Sequence, residues 1–213
     1  MNKNLKIIFT LFPLMVVLML AVQYIPVKTK SMPGSKITGN QAAKKLDVST
    51  VNEVISLIQS KDFNALSDFV SDKGLIVKPY YTPNQKQGRI LTKDVVASFF
   101  NDVAVREWGV QDGSGLPLKM TDLQYYEKFI YPHNFLKLAK VSYDASLVNG
   151  NTLPLDEVLK ELFPNSNISF AEYYISGIDP IYDGMDWSSL ALIFENISGD
   201  WKLVGILHNE WTI

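Results

Sequence analysis

Cysteine is absent from the 213-residue chain, and histidine occurs only twice. The first absence excludes disulfides, thiol nucleophiles, thiolate zinc sites and iron–sulfur clusters together. It also leaves no thiol for a lipid anchor. Any redox compartment tolerates a cysteine-free chain, so location is not set by it. A basic excess is lacking too. The net charge of −2 argues against a nucleic-acid binder, which needs a positive stripe to neutralise phosphates. No repeat or low-complexity tract is present, and no motif calls for a cofactor or metal.

What is present begins with a strong N-terminal signal. Lys3 and Lys6 precede the run at 7–25, IIFTLFPLMVVLMLAVQYI, which carries no charge. It reads as a signal peptide or a single membrane anchor at the short end of spanning length. Pro13 would kink such a helix without excluding it. Ala21-Val22-Gln23 is a poor cleavage site because of the large Gln, which favours an uncleaved anchor. Lys28, Lys30, Lys36, Lys44 and Lys45 follow the run, and a strict positive-inside count would hold the domain in the cytoplasm. The short basic tail ahead of the apolar run is an export signal, and large domains cross largely regardless of charge, so the expected location is extracytoplasmic. Residues 26–48, rich in Pro, Gly, Ser and Lys, read as a flexible linker. Residues 49–213 then form one domain of ordinary size.

Helical signals come first. Val51, Val54, Ile55 and Ile58 lie at helical spacing after a Ser49-Thr50 cap, and Asp62 caps a second helix ending at Lys73-Gly74. LIVKPYY is a strand that Pro79 assigns to an edge or bulge. Thr92 opens a helix over 93–102, Thr121 and Gln124 have capping-box spacing, and a helix over 155–163 stops before Pro164. AKVSYDASLV, ISFAEYYIS, SLALIFENI and WKLVGILHNEW read as strands, the last two joined by a turn at Ser198-Gly199-Asp200. The expected fold is therefore α+β, with N-terminal helices packed on one face of a curved antiparallel sheet. That is the arrangement of the nuclear-transport-factor-2-like or cystatin-like class. Tyr80-Tyr81, Phe99-Phe100, Tyr125-Tyr126 and Tyr173-Tyr174 are aromatic doublets. Within a strand the two members face opposite ways, so one of each needs a second covering layer or lines a pocket.

Candidate site residues gather near the C-terminus. Strict alternation along the last strand places His208 with Lys202, Val204, Ile206 and Glu210, and puts Leu203, Leu207, Asn209 and Trp211 opposite. His208 and Glu210 form a candidate acid–base pair, weighed against a half-exposed histidine beside a solvated carboxylate. Asp179, Asp183 and Asp186 lie in a glycine-bearing loop whose spacing is not that of an EF-hand, so local backbone hydrogen bonding is the reading. Trp187 reads as a core plug. Ser114, in Asp112-Gly113-Ser114-Gly115, lacks the nucleophile-elbow pattern, and His133 has no partner at metal-ligand spacing.

The stretch GMDWSSLALIFENISGDWKLVGILHNEWTI, residues 184–213, resembles the C-terminal signature of an uncharacterised family of exported, often lipid-anchored proteins of Gram-positive bacteria. DKGLIVKPY, WGVQDGSG and YYEKFIY are similar to that family's inner blocks in the same order. The resemblance implies export and a single domain, and supplies no reaction. Two departures weaken a catalytic His–Asp arrangement: Val70-Ser71 where relatives carry a histidine, and Asn209 where they carry Asp. The expectation is a membrane-anchored or secreted binding module without cofactor. Contacts fall to His208, Glu210, Trp211, Asp186 and Tyr174, and its partner is an envelope protein or small molecule. The alternative is a small-pocket enzyme using His208 and Glu210.

Overall fold

The computed structural model describes residues 45–84, 87–148 and 153–212. The expected segment at 7–25 lies outside these residues, and so does most of the expected linker. Among the described residues no helix is long and apolar enough to cross a membrane.

Asp47 caps α1 (Val48–Ser60), its carboxylate accepting from the Ser49 N–H at 3.0 Å. The cap expected at Ser49-Thr50 therefore lies inside the helix, and Leu46, expected in the linker, is buried in the core. Apolar residues at helical spacing (Val51, Val54, Ile55, Ile58) form the inward stripe. Asp62 caps α2 (Phe63–Leu66) by accepting from Ala65 N–H, and a 3₁₀ turn (Ser67–Phe69) completes it. The chain then forms β1 (Leu75–Lys78), β2 (Arg89–Leu91) and α3 (Lys93–Ala97), the last capped by Thr92. The helix expected over 93–102 breaks after Ala97 into a 3₁₀ turn (Phe99–Asn101). A hairpin of β3 (Arg106–Val110) and β4 (Pro117–Met120) leads into α4 (Asp122–Tyr125), where Thr121 and Gln124 make the reciprocal capping box. A π-helical turn (Tyr126–Ile130), α5 (Phe135–Leu138) and β5 (Lys140–Tyr143) follow. The strand expected over 139–148 stops at Tyr143 because Asp144 turns the chain at φ 55°. The remaining elements are α6 (Leu155–Leu162), β6 (Ile168–Ile175), β7 (Ser188–Ile197) and β8 (Asp200–Glu210).

Six strands build the main sheet in the order β2-β1-β8-β7-β6-β5. Every pairing is antiparallel except β1 with β8, which is parallel, so the sheet is mixed where an antiparallel one was expected. A parallel pair needs a long crossover, and everything from Pro79 to Gly199 serves as one. Pro79 does not mark an edge. β1 lies between β2 and β8, and the proline follows its last ladder residue, where no N–H is required. Ser198 and Gly199, at φ 56° and 99°, make the two-residue turn between β7 and β8. Both central angles are positive, as the hairpin-matching type I′ turn demands.

Two faces of this sheet are covered. Against one lie α1 to α5 and the β3–β4 hairpin, enclosing Val54, Ile58, Phe129, Leu190, Leu192 and Ile206 among others. Against the other lies α6, whose Leu155, Val158 and Leu159 meet Phe170, Ile193, Val204 and Leu207. The expectation of helices on one face is corrected here. The physical sign is in β7, where eight consecutive residues from Ser188 are buried, the pattern of a strand covered on both sides.

The strict alternation expected along β8 is also corrected. Ile193 pairs with Gly205 but Phe194 pairs with Leu203, so Val204 is the extra residue of a β-bulge. Leu203 therefore joins Ile206 on the helix-bundle face, while Val204 joins Leu207 on the α6 face. The bulge moves Val204 away from the side of His208.

Candidate binding site

His208 sits where β8, β7 and the end of β1 meet, and it is fully buried. Its Nδ1 donates to the Pro79 carbonyl at 3.1 Å. In the neutral ring Nε2 is then an acceptor, and the Ser188 hydroxyl, 3.2 Å away, donates to it. The Phe129 ring packs edge-on at 5.6 Å. Burial pushes the imidazole pKa down to about 4, outweighing the Pro79 hydrogen bond that raises it. Glu210 Oε2 lies 4.0 Å from Nε2, and burial raises the pKa of this carboxyl. At neutral pH the contact is therefore not an ion pair, because the ring is uncharged. The half-exposed histidine expected from sequence is not found. Both ring nitrogens have hydrogen-bond partners inside the protein.

The other expected site residues do not converge on this ring. Trp211 follows β8 and is exposed. Tyr174 stands on the α6 face of β6, in register with Ser189, with the half-buried Trp187 at 6.1 Å. Trp187 is thus a partner for Tyr174, where a core plug was expected. Asp186 Oδ2 accepts from the backbone N–H groups of Asp179, at 2.7 Å, and Ile178, at 3.1 Å. These bonds, Asp179's first, hold its carboxyl below the usual range. The aspartate-rich loop is stapled to itself, as local hydrogen bonding predicts. His133 is half-buried beside Phe135, and burial lowers its pKa.

Glu172 and Lys78 are two of the buried charged residues that sequence reasoning missed. Glu172, in the middle of β6, is fully buried on the α6 face. Its Oε1 accepts from Tyr81 Oη at 2.8 Å and Ser189 Oγ at 2.9 Å, and its Oε2 accepts from the Leu147 backbone N–H. Burial, and then the carboxylate, drive the Tyr81 phenol pKa well up. This carboxylate, which also accepts from Ser146 Oγ at 3.4 Å, ties the loops after β1 and β5 to the sheet, and four donors offset its desolvation. Its signal was a single acidic residue in an otherwise apolar strand.

Lys78 is the second. It ends β1, is 1% exposed, and its Nζ donates to the carbonyls of Asn84, at 2.7 Å, and Gln87. Burial lowers its pKa to about 8. Gly88 lets the returning loop lie directly on β1: at φ 99°, a Cβ there would sit 2.2 Å from the Val77 carbonyl oxygen.

Lys78 also lines a cavity of about 260 Å³, together with Arg89, Ile76, Ile90 and Leu162. A second cavity of about 270 Å³ shares Ile76, Ile90 and Leu162 and continues to Phe163 and Ser166. A third, of about 360 Å³, takes up from Phe163 and Ser166 and runs between α6 and Phe170 of β6. The three form a mainly apolar groove around the C-terminal end of α6, on the opposite face of the sheet from His208. Ion pairs of Lys73 with Glu195, at 3.2 Å, and Lys160 with Asp156, at 3.3 Å, lie along it.

The class of protein so defined is an α+β domain with a two-sided mixed sheet and a groove beside the helix on its second face. No known protein family matches the sequence, and no curated protein does. Among solved structures, it is similar to a domain of unknown function with a cystatin-like fold from Nostoc punctiforme. The identity is 9% over 80% of each chain, with a TM-score of 0.35. It is also similar to a putative calcium/calmodulin dependent protein kinase II association domain from Xanthomonas campestris. There the identity is 7% over 76% of this chain and 83% of that one, with a TM-score of 0.28. The first carries the fold description that the sequence suggested. At these scores the α+β assignment rests on this chain's own helices and sheet, and neither likeness bears on activity.

Proposed function

We propose that this protein is a non-catalytic binding module that works outside the cytoplasm, membrane-anchored through residues 7–25 or secreted. The groove around the end of α6 is its recognition surface. The observation that carries the reading is the run of three cavities, each sharing apolar walls with the next, around the C-terminal end of α6. Ligand sites are typically concave, mostly apolar and supplied with a few polar groups. The sealed environment of His208 weighs against the catalytic alternative. The basic tail and uncharged run before the domain support export.

The test is the melting temperature of the full chain against fractionated envelope extract. A ligand that binds only the folded state raises it. One fraction should raise the wild-type value and leave a Leu162→Glu variant unmoved. If no fraction acts, or both proteins respond alike, the groove is not the recognition surface. Protease added to intact spheroplasts should degrade the domain, and full protection would overturn the location.

A further inference from the structure

We propose that the outer edge of β5 pairs with β5 of a second copy of this chain, antiparallel about a two-fold axis at Ser142, so that two sheets become one. The inference does not rest on the groove.

The two edges of the main sheet differ. At the β2 edge the chain covers itself with β3. Gly88 N–H donates to the Trp108 carbonyl at 3.0 Å, Val110 N–H donates to the Gln87 side chain at 2.9 Å, and Arg89 donates to the Glu107 carbonyl. At the other edge β5 pairs with β6 alone. Asp144 N–H donates to the Phe170 carbonyl at 3.0 Å, which fixes the phase of that ladder. Bonded and non-bonded residue pairs alternate along an antiparallel ladder. Lys140 and Ser142 therefore bond to β6, while the N–H and C=O groups of Val141 and Tyr143 point outward. Among the described residues no strand pairs with that edge. An open edge is a template for a further strand, and a lysine on it usually repels one.

Here the sequence of the edge complements itself. With Ser142 opposite Ser142 of the partner subunit, the outward-facing Val141 lies opposite the partner's Tyr143, and Tyr143 opposite the partner's Val141. Aromatic with β-branched is a favourable cross-strand pair. Both side chains stand on the helix-bundle face and are exposed, as is Leu138 just before the strand. The same register sets Lys140 opposite the partner's Asp144, twice over. Both residues are exposed, and neither has an ion-pair partner among the described residues. Asp144 Oδ1 accepts from Ser169 Oγ and Phe170 N–H, which leaves Oδ2 for the ammonium. Centring the pair on Val141 or Tyr143 instead would leave Lys140 facing no carboxylate. Four residues a side make a small interface, so the dimer is weak and concentration-dependent.

The absence of cysteine makes the test clean, because a single introduced thiol has no competitor. Ser142→Cys in the purified full chain, kept in excess detergent, should form a disulfide-linked dimer on mild oxidation, with a yield that rises with concentration. Ser114→Cys, on the exposed β3–β4 connection, gives the collisional background. Adding Lys140→Glu turns two attractive pairs into two repulsive ones and should lower the yield about tenfold at low concentration. Val141→Pro, also in the Ser142→Cys chain, removes an outward N–H without touching the β6 ladder and should lower it likewise. A thermal melt of each variant identifies any that fails to fold. A yield at the Ser114→Cys background, or one that both folded variants leave unchanged, would overturn the proposal. So would a Ser142→Cys thiol that is shielded from maleimide in a monomer, since the edge would then be covered by the chain's own residues.

Discussion

His208 Nδ1 donates to the carbonyl of Pro79, 129 positions earlier in the chain, and this bond locks the end of β1 to the end of β8. The ring is neutral in the fold, so the bond carries a pH dependence. The unfolded ring takes up a proton near its ordinary pKa of about 6.5, while the folded ring resists until about 4. The unfolded state binds more protons in that window, and the fold loses stability as pH falls through it. The loss approaches ~3 kcal/mol near pH 4. Glu210, whose carboxyl is raised by burial, works in the opposite direction and favours the fold as it protonates. Urea denaturation at pH 7, 5.5 and 4.5 should show the net slope. His208→Asn should flatten it, whatever that substitution does to stability at pH 7.

Glu172 should be the most costly polar position in the sheet. Glu172→Ala removes the acceptor of the Leu147 N–H, Ser146 Oγ, Tyr81 Oη and Ser189 Oγ, of which only the last two can turn to each other, at a cost of about 3–5 kcal/mol. Tyr81→Phe removes one donor of four and should cost roughly 1–2 kcal/mol. Tyr81 and Ser189 also lie 2.8 Å apart. Their double-mutant cycle, measured by urea denaturation, should therefore be non-additive by about 0.5–3 kcal/mol.

Gly88→Ala should destabilise the domain by about 1–3 kcal/mol, since a positive φ and a backbone clash combine there. The clash is with the Val77 carbonyl, so the loop must lift from β1 and free the Lys78 ammonium. A thermal melt measures the first effect. Faster acylation of Lys78 by an amine-reactive reagent, read by mass spectrometry, measures the second.

Asp186→Ala should loosen one loop and little else. Amide exchange at Ile178 and Asp179 should accelerate, because their acceptor is removed. The denaturation midpoint should stay near that of wild type, since Ile178, Ile181, Tyr182 and Met185 in this loop are exposed and bury little core.

Local chemistry explains which parts of this fold could be read from sequence. The Thr121–Gln124 capping box, the Ser198-Gly199 turn, the Asp62 cap and the stop of α6 before Pro164 all depend on a few neighbouring residues. The bulge at Val204, the parallel pairing of β1 with β8 and the position of α6 depend on residues far apart in the chain. Alternation along β8 gave the correct side for His208 relative to Ile206 and Glu210 and the wrong one for Val204. A bulge has no compositional mark when both faces of the strand are apolar. The same distance effect hid the candidate site. His208 was conspicuous as one of two histidines but turned out sealed. The groove draws Lys78, Arg89 and Leu162 from three separate segments that no spacing rule connects.

β8 joins the two halves of the sheet, with β1 and β2 on one side and β7, β6 and β5 on the other. It is also the last of these strands in chain order. As the polypeptide emerges from the ribosome, the inner edges of β1 and β7 have no neighbour until residues 200–210 appear. A nascent chain halted before Asp200 therefore holds two unjoined half-sheets with bare backbone edges, open to pairing with another chain. The domain can acquire its cooperative stability only in a final step, after nearly all of its other elements have been made.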